Sequence, residues 1–144
     1  MNTRSVKASE IQEKWYVVDA AGVRLGKLAT HIASILAGKH NVESVPYLTP
    51  KNKVIVVNTK KVDIHPRKKI GKIYYSHSGF PGGFNQMEYQ DLKEKRPNKI
   101  VRLAVNGMLP KTKQRNDIMA NLFLYEDGDH KHEAQQPEAV EVSK

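Results

Sequence analysis

One stretch limits the possible folds more than any other. Leu25, Leu28, Ala29, Ile32, Ile35 and Leu36 fall at i, i+3, i+4, i+7, i+10 and i+11, while Lys27, Thr30, His31 and Ser34 take the opposite side. That is the period of a helix with one buried face. Gly38 follows where a left-handed C-terminal cap belongs. A nearly continuous apolar run flanks the helix on each side, Trp15-Tyr16-Val17-Val18-Asp19-Ala20 before it and Val54-Ile55-Val56-Val57-Asn58 after it. Runs without polar alternation suit strands covered on both faces. Strand, helix and strand in this order predict a right-handed βαβ unit.

The remaining segments are arranged around that unit. Residues 1–14 read as a polar arm with one helical turn at Ser9–Lys14, and residues 59–83 as a basic, turn-rich stretch. Helices are expected over 88–96 and 98–107, with Pro97 suited to begin the second and Ile100, Val101, Ala104 and Val105 forming its apolar stripe. A short helix over 115–122 and a last strand at Leu122–Tyr125 follow, and no internal repeat is visible. From Asp127 onward the tail is polar and expected to be ordered only in part. The chain of 144 residues thus divides into an arm (1–14), one α/β domain (15–126) and a tail (127–144). A domain of about 150 residues buries roughly 68–70% of its unfolded surface, enough for a core of its own.

Several function classes are removed by composition. The absence of Cys excludes disulfides, thiol catalysis and thiolate metal sites together. No run approaches the ~18 apolar residues of a membrane span. The start, Met1-Asn2-Thr3-Arg4-Ser5-Val6-Lys7, leads into no apolar core, so no signal peptide is expected and the reading is cytoplasmic. Charge then points to a partner. The whole carries +9, yet residues 126–144 hold six acids against two lysines, leaving 22 bases and nine acids in residues 1–125. A body that basic calls for neutralisation, and phosphates supply it with the added gain of released counterions.

The bases come in short groups: Lys39-His40, Lys51 with Lys53, Lys60-Lys61, Arg67-Lys68-Lys69 with Lys72, and Lys111 with Lys113 and Arg115. Any one group fits a solvated surface. Most fall in loops at the ends of elements, however, where they can converge on phosphates. Tyr74-Tyr75-Ser76-His77-Ser78-Gly79-Phe80-Pro81-Gly82-Gly83 interleaves aromatics with glycine. Exposed rings such as Tyr75 and His77 can stack on unpaired bases, whereas a hairpin-like loop would place one tyrosine inward and the other outward.

Gly22-Val23-Arg24-Leu25-Gly26-Lys27-Leu28 has the look of a phosphate-binding loop. A nucleotide-binding enzyme is the sharper reading, but a Walker loop needs four residues between its glycines and Ser or Thr after Lys. Here three separate Gly22 from Gly26, and Leu28 follows Lys27. A tight βα turn with Gly26 permitting close helix–sheet packing is the better reading, with Arg24 and Lys27 still able to touch an RNA phosphate. Asp127, Asp129, His130, His132 and Glu133 are of metal-ligating types but lack the spacing of a preorganised site. No catalytic triad or carboxylate pair stands out, so no enzymatic activity, metal or cofactor is expected.

Trp15-Tyr16-Val17-Val18-Asp19-Ala20, Gly22 and Leu25-Gly26-Lys27-Leu28-Ala29 resemble the opening of the bacterial ribosomal large-subunit protein L-thirteen family. So do Lys72-Ile73-Tyr74-Tyr75-Ser76-His77-Ser78-Gly79, Gly82-Gly83, Arg96-Pro97, Ala104-Val105-Asn106-Gly107-Met108-Leu109-Pro110-Lys111, and the tail His130-Lys131-His132-Glu133-Ala134-Gln135-Gln136-Pro137. These segments keep the family's order across residues 15–137. The resemblance implies a three-layer α/β/α domain with a mainly parallel sheet, bound to large-subunit rRNA beside other ribosomal proteins and joining during assembly. It also implies that the tyrosine-glycine loop, the Met-Leu-Pro-Lys turn and the tail with His130 and His132 lie against RNA. Two departures stand out. Arg115 occupies a position where the family usually has glycine, with Asn116 and Asp117 where bases are common, which would shift phosphate contacts onto Lys113 and Arg115. His65-Pro66-Arg67-Lys68-Lys69 is also more basic and proline-constrained than the family pattern. The expected role is a ribosomal scaffold, the competing classes being an RNA-binding regulator outside the ribosome and a small nucleotide-binding enzyme.

Overall fold

The structure, a computed structural model, describes residues 4–142. Its centre is a four-stranded, all-parallel sheet in the order β5-β2-β1-β6, with β1 at Lys14–Asp19, β2 at Asn52–Val57, β5 at Leu122–Leu124 and β6 at Glu138–Val140. The helices are α1 (Leu25–Leu36), α2 (Pro66–Gly71), α3 (Tyr89–Lys95), α4 (Pro97–Met108) and α5 (Arg115–Ala120). An antiparallel hairpin of β3 (Ile73–His77) and β4 (Phe84–Glu88) stands apart from the sheet. The βαβ unit is there, and the molecule is a single α/β domain whose central sheet is flanked by helices.

α1 is formed by its apolar period and stopped by its cap. Leu28, Ala29, Ile32 and Leu36 are essentially inaccessible, and burying each Leu or Ile side chain contributes about 1.5–3 kcal/mol. Gly38 takes φ +69°, and the amides of Gly38 and Lys39 return to the carbonyls of Ile35 (2.9 Å) and Ser34 (3.2 Å), closing the helix. Buried Asn52 then ties the helix end to the start of β2 by donating Nδ2–H to the Ile35 carbonyl at 2.9 Å.

Alternation along the strands separates two faces. Tyr16, Val18, Val54, Val56 and Leu122 look into the main core with α1 and α4. Trp15, Val17, Ile55 and Phe123 look the other way, and there the crossover from β5 to β6 passes over the sheet. His132 is its anchor, with ring centroids 5.0 Å from Trp15, 4.7 Å from Phe123 and 6.0 Å from Tyr125. A short 3₁₀ turn at Glu133–Gln135 follows before β6 pairs with β1.

Several expectations need adjustment. Residues 8–10 form a turn closed by Glu10 N–H to the Lys7 carbonyl (3.0 Å), and no helical turn runs on to Lys14. Asn58 leaves the strand in a left-handed conformation, φ +59°. Gly26 does not mediate close packing, because a Cβ there would point into open space. The structure adds α2 and β6, which no sequence pattern announces, and gives the hairpin-like alternative at Tyr74-Tyr75 its form as the paired strands β3 and β4. Arg115 needs no glycine, since it starts α5 and no residue between Asn58 and Gln136 other than glycine has positive φ.

Candidate nucleic-acid interface

Parallel strands put all their C-terminal ends at one pole of the sheet. The loops after β1, β2 and β5 meet there: Ala20 N–H reaches the Val57 carbonyl at 3.0 Å, Asn58 N–H the Asp127 carbonyl at 3.0 Å and Thr59 N–H the Tyr125 carbonyl at 3.2 Å. This pole carries Arg24, Lys60, Lys61, Arg67, Lys68 and Lys69. Two of these cations are already partnered, Lys60 with Glu126 (2.9 Å) and Asp127 (3.5 Å), and Lys69 with Asp63 (3.4 Å). Arg67 and Lys68 are exposed, with no carboxylate partner among the described residues.

The Gly22–Lys27 loop lies at the same pole, and three of its amides are spent on the protein, Gly22 N–H on the Lys61 carbonyl (3.1 Å), Val23 N–H on the Ala20 carbonyl (3.3 Å) and Leu25 N–H on the Asp63 carbonyl (2.9 Å). A P-loop keeps such amides for the phosphate. Arg24 and Lys27 remain exposed.

The hairpin supplies the aromatic part. Cross-strand register puts Ile73, Tyr75, His77, Phe84, Gln86 and Glu88 on one face, and Tyr74, Ser76, Asn85 and Met87 on the other. Tyr74 packs against the core, where burial pushes its phenol pKa up, and its hydroxyl has no partner among the described residues. Lys72 caps that ring with its ammonium 5.0 Å from the centroid. Tyr75 and Phe84 point away from the core, 64% and 58% exposed, and stack on each other at 5.8 Å. The pair forms a ready-made platform for a planar base.

The turn beyond them is fixed by glycine. Gly79 and Gly82 have positive φ, and a Cβ on Gly83 would fall 1.9 Å from Ser78 Oγ and 2.9 Å from the Phe80 carbonyl. Gly79 N–H donates to His77 Nδ1 at 2.8 Å, which holds the exposed ring against the turn. Phe84 was missed in the sequence. The signal that finds it is cross-strand pairing, visible only once the register is known.

A second basic pole lies at the N-terminal ends of the strands, because α1 returns its C-terminus there. It gathers Lys39, His40, Lys51, Lys111, Lys113 and Arg115. Gln114 Nε2–H bonds to the Tyr47 carbonyl at 2.8 Å and joins the loop before α5 to the loop after α1. Lys51 Nζ is held by the Ala8 carbonyl at 3.1 Å. His40 Nε2 meets Tyr16 Oη at 3.0 Å, and burial of that edge, with Lys14 nearby, lowers the imidazole pKa against the opposing pull of Glu138. The ring is therefore neutral at pH 7, a hydrogen-bonding group rather than a cation.

Lys53, His130 and His132 belong to neither pole. Lys53 lies over Trp15 at 4.7 Å and pairs with Glu13 at 2.5 Å, and both histidines are half-buried in the crossover. Among the described residues no group of three or more His, Asp or Glu is placed to hold a metal. No described helix is long and apolar enough to cross a membrane.

Comparison with known proteins decides the family. The family model described as Ribosomal protein L13 matches residues 13–131. The chain belongs to the ribosomal protein L13 family. It is 44% identical over 141 residues to the large ribosomal subunit protein uL13 of Roseiflexus sp. (strain RS-1), covering 98% of this chain and 97% of that protein. Against the Acholeplasma laidlawii protein of the same name it is 44% identical, covering 99% and 100%. Against that of Thermotoga maritima it is 43% identical, covering 97% and 94%. The L13 match takes in both basic poles, the hairpin and the crossover as far as Lys131, and stops short of β6.

Proposed function

We propose that this L13-family chain is a structural, non-catalytic constituent of the large ribosomal subunit that binds and organises rRNA during assembly in the cytoplasm. The observation that carries the reading is near end-to-end similarity to proteins named large ribosomal subunit protein uL13, 44% identical across 98% of the chain. The geometry supports the same role. Two basic poles at opposite ends of one rigid sheet hold separate RNA segments at a set distance. The hairpin adds a third contact in which Tyr75 and Phe84 stack on an unpaired base. Phosphate contacts supply most of the affinity, and stacking and shape supply selectivity.

The test is sedimentation of cell lysate through a high-salt sucrose gradient, with the fractions probed for this chain. Recovery in the large-subunit peak in proportion to its rRNA is the expected result. Recovery only at the top of the gradient overturns the proposal.

A further inference from the structure

α4 and the outer edge of β5 border an open groove of about 440 Å³. Its floor is Leu122 and Leu124, one wall is Arg96 just before α4 with Lys99 and Arg102 of α4, and Glu126 closes one end. Lys99 and Arg102, at i and i+3, share one helix face, and Arg96 flanks them from the non-helical residue just before α4. None has a carboxylate partner among the described residues, whereas Glu126 is itself held by Lys60 at 2.9 Å. The groove is therefore cationic with an apolar floor.

Its edge is also open. β5 pairs with β2 alone. Val54 N–H to the Asn121 carbonyl (3.0 Å) and Tyr125 N–H to the Val56 carbonyl (2.8 Å) show which residues turn their polar groups inward. By alternation Leu122 and Leu124 turn theirs outward. Asn98 Nδ2–H takes the Leu124 carbonyl at 3.4 Å and is itself fixed by Thr59 Oγ1. The N–H and C=O of Leu122 and the N–H of Leu124 are left facing out, and no proline or inward charge blocks them.

We infer that this groove docks an extended acidic segment of a partner protein, which adds to β5 as a further strand. Such a segment fits both features at once: its backbone meets the Leu122 and Leu124 edge, its carboxylates lie on the α4 face and reach Arg96, Lys99 and Arg102, and by alternation its apolar side chains fall on the opposite face beside Phe123. An RNA backbone would engage the cations but leave the strand edge unused.

The test uses the full chain and a fluorescein-labelled heptapeptide, Glu-Val-Glu-Leu-Glu-Val-Glu, followed by anisotropy. Two further versions carry N-methyl groups at alternate residues, one in each frame. The expected result is saturable binding that weakens by about tenfold or more in one N-methylated frame. The Arg96→Gln/Lys99→Gln/Arg102→Gln variant should lose peptide affinity by a similar factor with its melting temperature and its affinity for purified large-subunit rRNA unchanged. Equal binding of all three peptides, or no binding of any, overturns the inference. A loss of rRNA affinity in the triple variant also overturns it, since the groove would then be an RNA contact.

Discussion

His40 and Tyr74 show how single side chains are set by their neighbours. Because the folded His40 pKa lies below the ordinary 6.5, the unfolded chain takes up its proton first as pH falls. The contribution is intact above pH 6.5 and is lost as pH drops through the lower folded value. Melting curves from pH 7.5 to 5 should show wild type losing more stability than His40→Gln, and parallel curves would sink the assignment. Tyr74 buries a hydroxyl with no partner among the described residues, and such a group costs on the order of 1–3 kcal/mol. Tyr74→Phe should therefore hold or raise the melting temperature, while Tyr74→Ala lowers it by removing core volume. A clear loss in Tyr74→Phe would mean that the hydroxyl has a role in folding. The inward position of Tyr74 and outward position of Tyr75 could be anticipated from strand alternation. Which of the basic residues are neutralised could not, because Asp63 and Glu126 reach Lys69 and Lys60 only across folded loops.

At the scale of elements, what could be read depended on how much apolar surface each piece buries. α1 and α4 were readable because their stripes follow the helical period. α2 buries no residue, β4 is exposed throughout and β6 has three residues of which two are exposed, so none carries a hydrophobic pattern. Their structure comes from partners: α3 for α2, β3 for β4 and β1 for β6. Replacing Tyr75 and Phe84 with Ala should weaken binding to large-subunit rRNA by about 1–3 kcal/mol per stacked base, with the melting temperature preserved. Unchanged affinity would remove the hairpin face from the interface. His132→Ala should loosen the crossover, which hydrogen exchange would report as faster exchange across 138–140 with α1 unaffected. Retained protection of β6 would show that strand pairing alone holds the tail.

Over the whole molecule, charge distribution makes the bond to RNA dependent on salt. Arg67→Glu/Lys68→Glu is the clean probe of the pole at the strands' C-terminal ends, since Lys69 also serves Asp63. The variant should fold normally and flatten the plot of log affinity against log salt, each lost phosphate contact removing about 0.7–0.9 from the slope. An unchanged slope would place these cations outside the interface. The fold class followed from local patterns, but the joining of the basic groups into two poles did not. That joining is set by the strand order, which no short stretch of sequence contains. The same order has a consequence for how the protein is made. β1 precedes the other described strands of the sheet in the chain, yet the strand on its far side, β6, is the last of them. Until residues 138–140 leave the ribosome, the nascent chain must carry an unpaired β1 edge in the open, a form prone to associate with other chains. Completion of the sheet thus waits for residues 138–140, so a chain cut before them cannot complete it.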